Sequence, residues 1–175
     1  MIILYRKSFV SALEPVLMSF HEKITGGEKL GINYKCVFSD GKEAEIKNFL
    51  LKKTTENLFK EKAAGVSLYG PHRDDIEFFI NDRDASKYAS QGQQRTIALG
   101  LKLSQIEIVK KNTGEYPVLL LDDVLSELDG ARRSFLLGKI DSHQVIITCT
   151  DADSAKTEGL ECRFFKVSGG CVFCE

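Results

Sequence analysis

Apolar residues near the start of the chain recur at every third or fourth position, the spacing that places side chains on one face of an α-helix. The series is Ile3, Val10, Leu13, Leu17, Phe20 and Ile24, and Arg6 is its one interruption. So narrow an apolar seam is typical of a helix packed in an antiparallel arm. We expect Pro15 to kink this helix or divide it in two, and Gly26 and Gly27 to end it. Because the chain starts inside the pattern without a cap, we expect Met1 not to be the natural start of the domain.

The pattern then changes from helical spacing to alternation. Residues 30–38 alternate apolar and polar side chains, which predicts a half-buried strand. Residues 46–63 return to helical spacing, and residues 66–69 and 76–80 are predicted strands on either side of the segment GPHRDD, with a polar turn at 81–84. The helix carries four lysines whose ordinary role is to solvate its face, with contact to DNA phosphates as the alternative. They are Lys52, Lys53, Lys60 and Lys62.

The apolar run at residues 118–121, which follows Pro117, ends at two adjacent carboxylates, Asp122 and Asp123. This pattern is typical of a strand buried on both faces of a parallel sheet, and ligands of α/β proteins bind at the carboxyl ends of such strands. Mg²⁺ takes oxygen ligands and commonly bridges one or two carboxylates to nucleotide phosphates. The pair therefore indicates a nucleotide site. The alternative is that the two residues only cap the helix that follows.

Two polar segments strengthen the nucleotide interpretation. Residues 90–96, SQGQQRT, open an amphipathic run that continues to about Lys111. Ser90 is a good N-cap and Gly92 lets a backbone approach closely, so the amides at this helix start predict an anion site. The second segment is a short polar loop at residues 126–129, directly after the carboxylates.

A second buried strand is predicted at residues 145–147, and it ends in Thr148, Cys149, Thr150 and Asp151. Residues 131–140, between the two strands, carry a helical pattern. The unit is therefore βαβ, and its crossover should be right-handed. Since both strands then point the same way, we expect Asp122, Asp123 and Thr150 to open on one crevice.

Composition bounds the class of protein. With 175 residues, 43% of them hydrophobic, the chain can bury one domain-sized core. A net charge of −1 and an isoelectric point near 6.3 do not indicate a nucleic-acid binder, so any DNA contact must come from a local patch. The sequence has no apolar stretch of membrane-helix length and its opening MIILY is too short for a signal peptide, which makes the cytoplasm the default compartment.

The five cysteines are an odd number, which argues against a disulfide scaffold. Cys171 and Cys174 form a C-x-x-C, with Cys162 and His143 as conceivable further zinc ligands. Structural zinc usually needs two regularly spaced pairs, so a terminal hairpin is the better interpretation, with strands at 163–167 and 171–174 around a turn at 168–170. His21 and His143 have no companion residues, and we assign them no role.

These segments, in this order, resemble the C-terminal half of an ABC-type ATPase head. The matching motifs are the signature at 90–94, Walker B at 118–123, the D-loop at 126–129 and a switch strand that ends near Thr150. The segment GPHRDD at 70–75, the variant SQGQQRT and the DD ending of Walker B are similar to the RecF family of DNA repair proteins. The resemblance is specific over about residues 66–151 and weaker over the rest. It departs at Thr150, where transporters commonly have histidine.

The resemblance implies a fold and a division of the chain. The fold is α/β, the C-terminal half of a P-loop NTPase head with a parallel βαβ core, preceded by part of a helical arm. Residues 1–28 would be the arm segment, from the end of lobe II. Residues 29–175 would be the part of the head that carries the signature, Walker B, the D-loop and the switch strand.

Roles for individual residues follow from the same resemblance. Asp122 would hold Mg²⁺, and Asp123 would orient the attacking water or accept its proton. The signature residues would bind the γ-phosphate of an ATP held by the opposite subunit, and the D-loop residues would reach across that interface. The signature residues are Ser90, Gln91, Gly92 and Gln93, and the D-loop residues are Ser126 and Asp129.

Heads of the RecF family use ATP and Mg²⁺, form an ATP-dependent homodimer and bind DNA at gaps and single-strand/double-strand junctions. They assist recombinase loading together with RecO and RecR, so the resemblance implies these cofactors and partners for a complete head. It also implies that His72 and Arg73 contact phosphate or a partner, with Asp74 paired to either. Their spacing alone predicts only surface turn residues.

The sequence has no G-x-x-x-x-G-K-[ST], because Gly41-Lys42 precedes Glu43 and Gly138-Lys139 precedes Ile140. The cradle for the β- and γ-phosphates is therefore not encoded in this chain. In the RecF family it lies in an N-terminal segment, so we expect the chain to be the C-terminal part of such a protein, truncated or separately encoded, and inactive as an ATPase without the N-terminal half of the same head. The alternatives are a fragment of another ABC-type ATPase, such as a transporter subunit, and a non-catalytic binding module.

Overall fold

The computed structural model describes residues 1–38, 41–140, 144–151 and 162–174. They fall into two compact units, Met1–Gln105 and Ile106–Glu175, and each is described by itself. The predicted boundary after residue 28 is a different division and stays a prediction. None of the helices in the described ranges combines the length and the apolar character needed to cross a membrane.

The first unit packs a long helix on a small antiparallel sheet. Helix α1 (Ile2–Thr25) contacts strand β1 (Leu30–Lys35), which pairs with β2 (Asp75–Ile80), and β2 pairs with the short β3 (Arg83–Asp84). Helices α2 (Glu43–Ala64) and α3 (Ala85–Tyr88) follow in this unit, and α4 (Gln91–Thr113) begins in it and ends among the residues of the second unit. The core of this unit brings together side chains of α1, β1, β2, α3 and α4, namely Leu17, Leu30, Ile80, Ala85 and Ile97.

Helix α1 confirms the predicted seam and excludes one of the two outcomes predicted for Pro15, a division of the helix, whereas a kink at Pro15 stays a prediction. The helix runs without a break through Pro15, so the proline does not divide it. Proline removes one backbone donor from a helix, but the flanking residues Leu13 and Leu17 are 2% and 0% exposed. Burial of these two side chains offsets the lost hydrogen bond. The helix ends at Gly26, whose φ of 73° is the left-handed cap that the sequence predicted.

Helix α1 and the part of α4 around Gly100 approach each other closely within this unit. A Cβ atom placed on Gly100 would lie 3.0 Å from Cδ1 of Leu17. Glycine at position 100 therefore gives the apolar seam of α1 room against α4.

The prediction of a strand at residues 66–69 is wrong. This segment is a bend between α2 and the 3₁₀ turn Pro71–Arg73. Its backbone groups bond to side chains instead of to a neighbouring strand: the carbonyl of Ser67 accepts from Arg73, and the amide of Leu68 donates to Glu61 at 2.7 Å. Since those groups are already satisfied, the apolar character of the segment does not produce a ladder.

The second unit contains the predicted parallel strand pair. Strand β4 (Leu119–Asp122) pairs in parallel with β5 (Val145–Thr148), and the 3₁₀ turn Val124–Glu127 and helix α5 (Gly130–Leu137) follow β4. The pairing is confirmed, whereas the right-handed crossover stays a prediction because residues 141–143 lie outside the described ranges.

Burial of β4 on both faces was predicted, and the described residues contradict it. Leu121 is 6% exposed, but Leu120 is 69% exposed and its registered partner Ile146 is 55% exposed. Partners in a parallel register point to the same side, so one face of the pair is packed and the other is open among the described residues. An apolar run predicts that its side chains are buried, but it does not identify the residues that pack against them.

The chain ends in the predicted hairpin. Strands β6 (Phe165–Ser168) and β7 (Cys171–Cys174) pair around Gly169 and Gly170, whose φ angles of 57° and 79° fit a two-residue turn. Cys171 pairs with Ser168 and Cys174 with Phe165, so the two cysteines lie on opposite faces of the hairpin. They cannot both bind one zinc ion. No group of three metal-ligating residues occurs in the described ranges, and His143 lies outside them.

Candidate functional site

The carboxyl ends of β4 and β5 are joined by hydrogen bonds between backbone and side chains. The amide of Asp123 lies 3.2 Å from the carbonyl oxygen and 3.0 Å from the hydroxyl oxygen of Thr148, and donates to both. The hydroxyl of Thr148 in turn donates to Oδ1 of Asp122. One threonine on β5 thus holds the carboxylate of Asp122 and the backbone of Asp123.

Asp123 has a left-handed backbone, with φ 51° and ψ 20°. For a residue other than glycine this conformation costs about 1 kcal/mol, and aspartate tolerates it better than most. Its carboxylate makes no hydrogen bond or ion pair with another described residue, and it does not cap the following 3₁₀ turn. The geometry therefore does not support the interpretation of the acidic pair as a helix cap.

The predicted D-loop residues bond mainly to the local backbone. Ser126 donates its hydroxyl to the carbonyl of Asp123 at 2.8 Å. Asp129 is the N-cap of α5: its Oδ1 accepts from the amide of Arg132 at 2.9 Å, and the Arg132 guanidinium bonds its other oxygen. The amide bond and then the nearby positive charge of Arg132 hold the pKa of the Asp129 carboxyl below its usual value. Asp129 is thus kept ionised and exposed at a helix start.

Thr150 was the predicted switch residue, and it lies in an exposed bend after β5. It makes no hydrogen bond with another described residue, whereas Thr148 contacts both members of the acidic pair. The switch role of Thr150 stays a prediction. Sequence reasoning missed Thr148 because Thr148 and Thr150 share one face of the strand pattern, and only the register Asp122↔Thr148 distinguishes them.

The signature segment begins α4 with a reciprocal pair of caps. The hydroxyl of Ser90 accepts from the amide of Gln93 at 3.2 Å, and the side-chain oxygen of Gln93 accepts from the amide of Ser90 at 2.9 Å. This is a capping box, and it confirms Ser90 as the N-cap. The amides of Gln91 and Gly92 have no acceptor among the described residues. They are the donors that a helix start presents to an anion.

A second set of contacts holds the signature from the side. Nε2 of Gln93 donates to Oε1 of Glu28 at 2.7 Å, and Oε2 of Glu28 lies 3.4 Å from Nε2 of His21. His21, to which we assigned no role, is fully buried. A buried histidine on the apolar face of α1 and a glutamate just after its glycine cap were the available signals, but their meeting with Gln93 depends on the tertiary fold.

The side chains of the segment GPHRDD form hydrogen bonds with other parts of the first unit. His72 and Arg73 both bond to the carbonyl of Ser67, at 3.0 Å from the imidazole and 2.8 Å from the guanidinium. Asp74, whose side chain is 1% exposed, accepts from the hydroxyl of Tyr34 at 2.5 Å and lies 3.4 Å from Arg6. Burial, followed by this bond to Asp74, raises the pKa of Tyr34 to about 12.

These contacts explain the one interruption in the seam of α1, because Arg6 reaches the GPHRDD segment instead of the core. A contact of His72 and Arg73 with phosphate or a partner stays a prediction.

The four predicted DNA-contacting lysines lie on α2, of which only Ile46 is buried. Lys52 and Lys53 lie 3.9 and 3.8 Å from Glu56, and Lys53 also sits 5.8 Å from the ring centres of Phe49 and Tyr69. Lys60 and Lys62 are exposed. Their DNA role stays a prediction.

Comparison with known proteins points to one family of sequences. No family model matches the chain. It is 44% identical over 169 residues to the DNA replication and repair protein RecF of Lachnoclostridium phytofermentans, a match that covers 95% of this chain and 45% of the relative. It is 43% identical over 159 residues to RecF of Staphylococcus aureus, covering 87% of this chain and 43% of the relative. The chain thus spans less than half the length of these relatives.

Comparison with solved structures finds similarity to the same protein as the sequence comparison does. The fold matches the recombination mediator protein RecF with ATP in the RecFOR pathway, with a TM-score of 0.82 and 38% identity. A second structure of that mediator, with ATPrS, gives a TM-score of 0.85. Each match covers 99% of this chain and 46% of the solved chain. The chain therefore corresponds to the C-terminal part of a RecF-like protein, with the partial ABC-type head that its motifs predicted.

Proposed function

We propose that this chain supplies the signature, Walker B and D-loop of a RecF-like ATPase head. That head would dimerise on ATP, bind DNA at gaps or junctions and assist recombinase loading with RecO and RecR. The observation that carries the proposal is the end of β4, where Thr148 fixes Asp122 and leaves the carboxylate of Asp123 without another described partner. Such an arrangement supplies one oriented ligand and one available base. Relatives named as DNA replication and repair proteins support the DNA role.

The acidic pair fits the chemistry of Mg²⁺. Asp122 and Asp123 offer hard carboxylate oxygens, and the described ranges contain no larger cluster of ligating side chains. Mg²⁺ commonly uses one or two protein carboxylates and keeps water and phosphate oxygens for its other positions. Asp122, already oriented by Thr148, would hold the ion, which when bound neutralises phosphate charge.

Asp123 would act on the water that attacks the γ-phosphate. Its carboxylate oxygen would accept the water hydrogen bond, orient the oxygen for in-line attack and take up the proton. The left-handed backbone at this residue lets its amide bond to Thr148. The backbone hydrogen bond would therefore position Asp123 and leave its carboxylate available to the water.

The start of α4 would bind the γ-phosphate of an ATP held by a second subunit. The amides of Gln91 and Gly92 point to this use, because the capping box already employs the amides of Ser90 and Gln93. Asp129 and Ser126 would lie along the same subunit interface. ATP would then hold a two-fold dimer together, with each site built from both copies.

Replacing Ser90 by arginine in a complete RecF-like protein that carries this chain tests the proposal. Arginine would fill the space that the phosphate must enter, so ATP-driven dimerisation and ATP-stimulated binding to gapped DNA should be lost while each monomer still binds ATP. Ala98→Arg is the matched control, because Ala98 is an exposed residue of the same helix. Light scattering, nucleotide titration and DNA binding give the three readouts.

Mixed dimers sharpen the test. Ser90→Arg combined with a variant lacking the Walker A lysine should restore some ATP-dependent heterodimer, since one composite site stays competent. If Ser90→Arg instead lowers ATP affinity of the monomer, the signature acts within its own subunit. If it changes neither ATP binding nor dimerisation, residues 90–96 only cap the helix. Either result contradicts the proposal.

A further inference from the structure

The side-chain amide of Gln93 is held at both of its ends. Its oxygen accepts from the backbone amide of Ser90 at 2.9 Å, and its nitrogen donates to Oε1 of Glu28 at 2.7 Å. The orientation of an amide is fixed when one end meets a donor and the other meets an acceptor. Reversing the Gln93 amide would place donor against donor at Ser90 and acceptor against acceptor at Glu28. Both contacts therefore select the same orientation.

Glu28 is itself fixed by the turn that ends α1. Its amide donates to Oγ1 of Thr25 at 3.2 Å, and that hydroxyl donates to the carbonyl of His21 at 2.8 Å. On the other side, the amide of Lys29 donates to Asn81 at 3.1 Å. The second carboxylate oxygen of Glu28 lies 3.4 Å from Nε2 of the fully buried His21. Hydrogen bonds of its own amide and of the next amide therefore hold the backbone of Glu28 in place while its carboxylate bonds to Gln93.

We propose that Glu28 is a positioning residue for the signature, a role that rests on the proposed function of that segment. By fixing the Gln93 amide, Glu28 keeps the capping box closed and commits the hydroxyl of Ser90 to the amide of Gln93. The amides of Gln91 and Gly92 then remain the donors without an acceptor among the described residues. A ligand site that is arranged before its ligand arrives loses less entropy on binding.

The effect on the helix start can be measured in the 175-residue chain. Glu28→Ala should accelerate hydrogen exchange at the amides of Ser90 and Gln93 about twofold to tenfold, the effect expected from one net hydrogen bond. Glu28→Gln keeps a side-chain oxygen that can accept from Gln93, so it should restore slow exchange. Glu22→Ala is the matched control, because Glu22 is an exposed residue of α1 near the same end.

The effect on function is measured in the complete RecF-like protein. Glu28→Ala should weaken ATP-driven dimerisation about fivefold to tenfold while ATP affinity of the monomer is unchanged, and Glu28→Gln should rescue it. The losses of dimerisation caused by Glu28→Ala and Gln93→Ala should not add in a double-mutant cycle, because each substitution removes the hydrogen bond between these two side chains. A purely structural role would instead lower the melting temperature without separating dimerisation from nucleotide binding.

The outcomes separate this inference from the proposed function. Unchanged exchange at Ser90 and Gln93 in Glu28→Ala overturns the link. Accelerated exchange with normal dimerisation overturns the positioning role, provided that Ser90→Arg abolishes dimerisation in parallel. If Ser90→Arg leaves dimerisation intact, the proposed function fails and the positioning role fails with it, whatever the exchange rates show.

Discussion

The side-chain hydroxyl of Thr148, at the end of β5, donates a hydrogen bond to the carboxylate of Asp122, at the end of β4. The same hydroxyl oxygen accepts from the amide of Asp123 at 3.0 Å. The register Asp122↔Thr148 brings the two side chains together, so this contact is a direct result of parallel pairing. Thr148 therefore links the geometry of both acidic residues to the neighbouring strand.

Replacing Thr148 by valine should destabilise the chain by about 1 kcal/mol, because both hydrogen bonds of the hydroxyl are lost while side-chain volume is kept. In a complete head, the same change should lower ATP turnover because Asp122 loses its orientation. Denaturant unfolding and phosphate release are the measurements. Thr150→Val is the matched control for stability, because Thr150 is exposed, and an equal loss of unfolding free energy in the two variants would contradict the assignment.

Asp123→Asn should leave the fold and ATP binding intact, since asparagine tolerates a φ of 51° as aspartate does. Turnover by a complete head should fall about 100-fold to 10,000-fold, because the amide cannot accept the proton of the attacking water.

Asp123→Gly separates backbone from side chain at this position. Glycine suits the left-handed conformation, so stability should be equal or higher while turnover falls as in Asp123→Asn. Near-normal turnover in either variant would assign Asp123 a structural role. Stability is measured by denaturant unfolding and turnover by phosphate release.

Because of Tyr34, the free energy of unfolding of the first unit should fall as the pH rises through the alkaline range. Its folded-state pKa is raised from 10.0 to about 12, first by burial and then by the bond to Asp74. The raised pKa adds stability that is fully present below pH 10 and is lost as pH rises through 12. The free energy of unfolding should fall by about 1–2 kcal/mol across this window.

Tyr34→Phe should remove this part of the pH dependence, measured as the difference between the two unfolding curves from pH 9 to pH 12. The difference cancels other alkaline titrations, including that of Lys35, whose pKa is raised by its bond to Glu77. Tyr88→Phe is the control, because Tyr88 is 71% exposed. Parallel curves for the wild type and Tyr34→Phe would contradict the prediction.

Leu120 and Leu121 should differ in their contribution to stability although they are adjacent and identical. Leu121→Ala should cost about 2–5 kcal/mol of unfolding free energy, because a 6% exposed side chain leaves a cavity. Leu120→Ala should cost about 0.5 kcal/mol or less, because that side chain is 69% exposed. Urea unfolding of both variants is the measurement. Similar large losses would mean that both faces of β4 are packed.

Local rules predicted the elements of this fold well. Helical spacing identified α1, α2 and α4, the apolar runs identified β4 and β5, and the two glycines identified the final hairpin. Each of these depends on side chains close in sequence. The strand predicted at residues 66–69 is wrong because the carbonyl of Ser67 accepts from the side chain of Arg73, and residue spacing does not reveal that contact. Burial of both faces of β4 is wrong because burial depends on what packs against the strand, and Leu120 is 69% exposed.

The candidate site was predictable in its motifs and not in its contacts. The acidic pair and the signature were found from residue type and spacing. Glu28 and Thr148 were not assigned roles, because Glu28 lies 65 residues from Gln93 and Thr148 lies 26 residues from Asp122. Side chains at such separations meet only through sheet register and helix packing. Neither the contact between Glu28 and Gln93 nor the contact between Thr148 and Asp122 can be predicted from a single sequence.

The alternation of side chains along β7 also constrains the redox chemistry of the chain. Cys171 and Cys174 are three residues apart on one strand, a separation of about 10 Å, and they face opposite sides of the hairpin. A disulfide needs Cα atoms within about 7 Å of each other. While the hairpin persists, oxidants cannot join Cys171 and Cys174 in an internal disulfide, so the two thiols are oxidised separately.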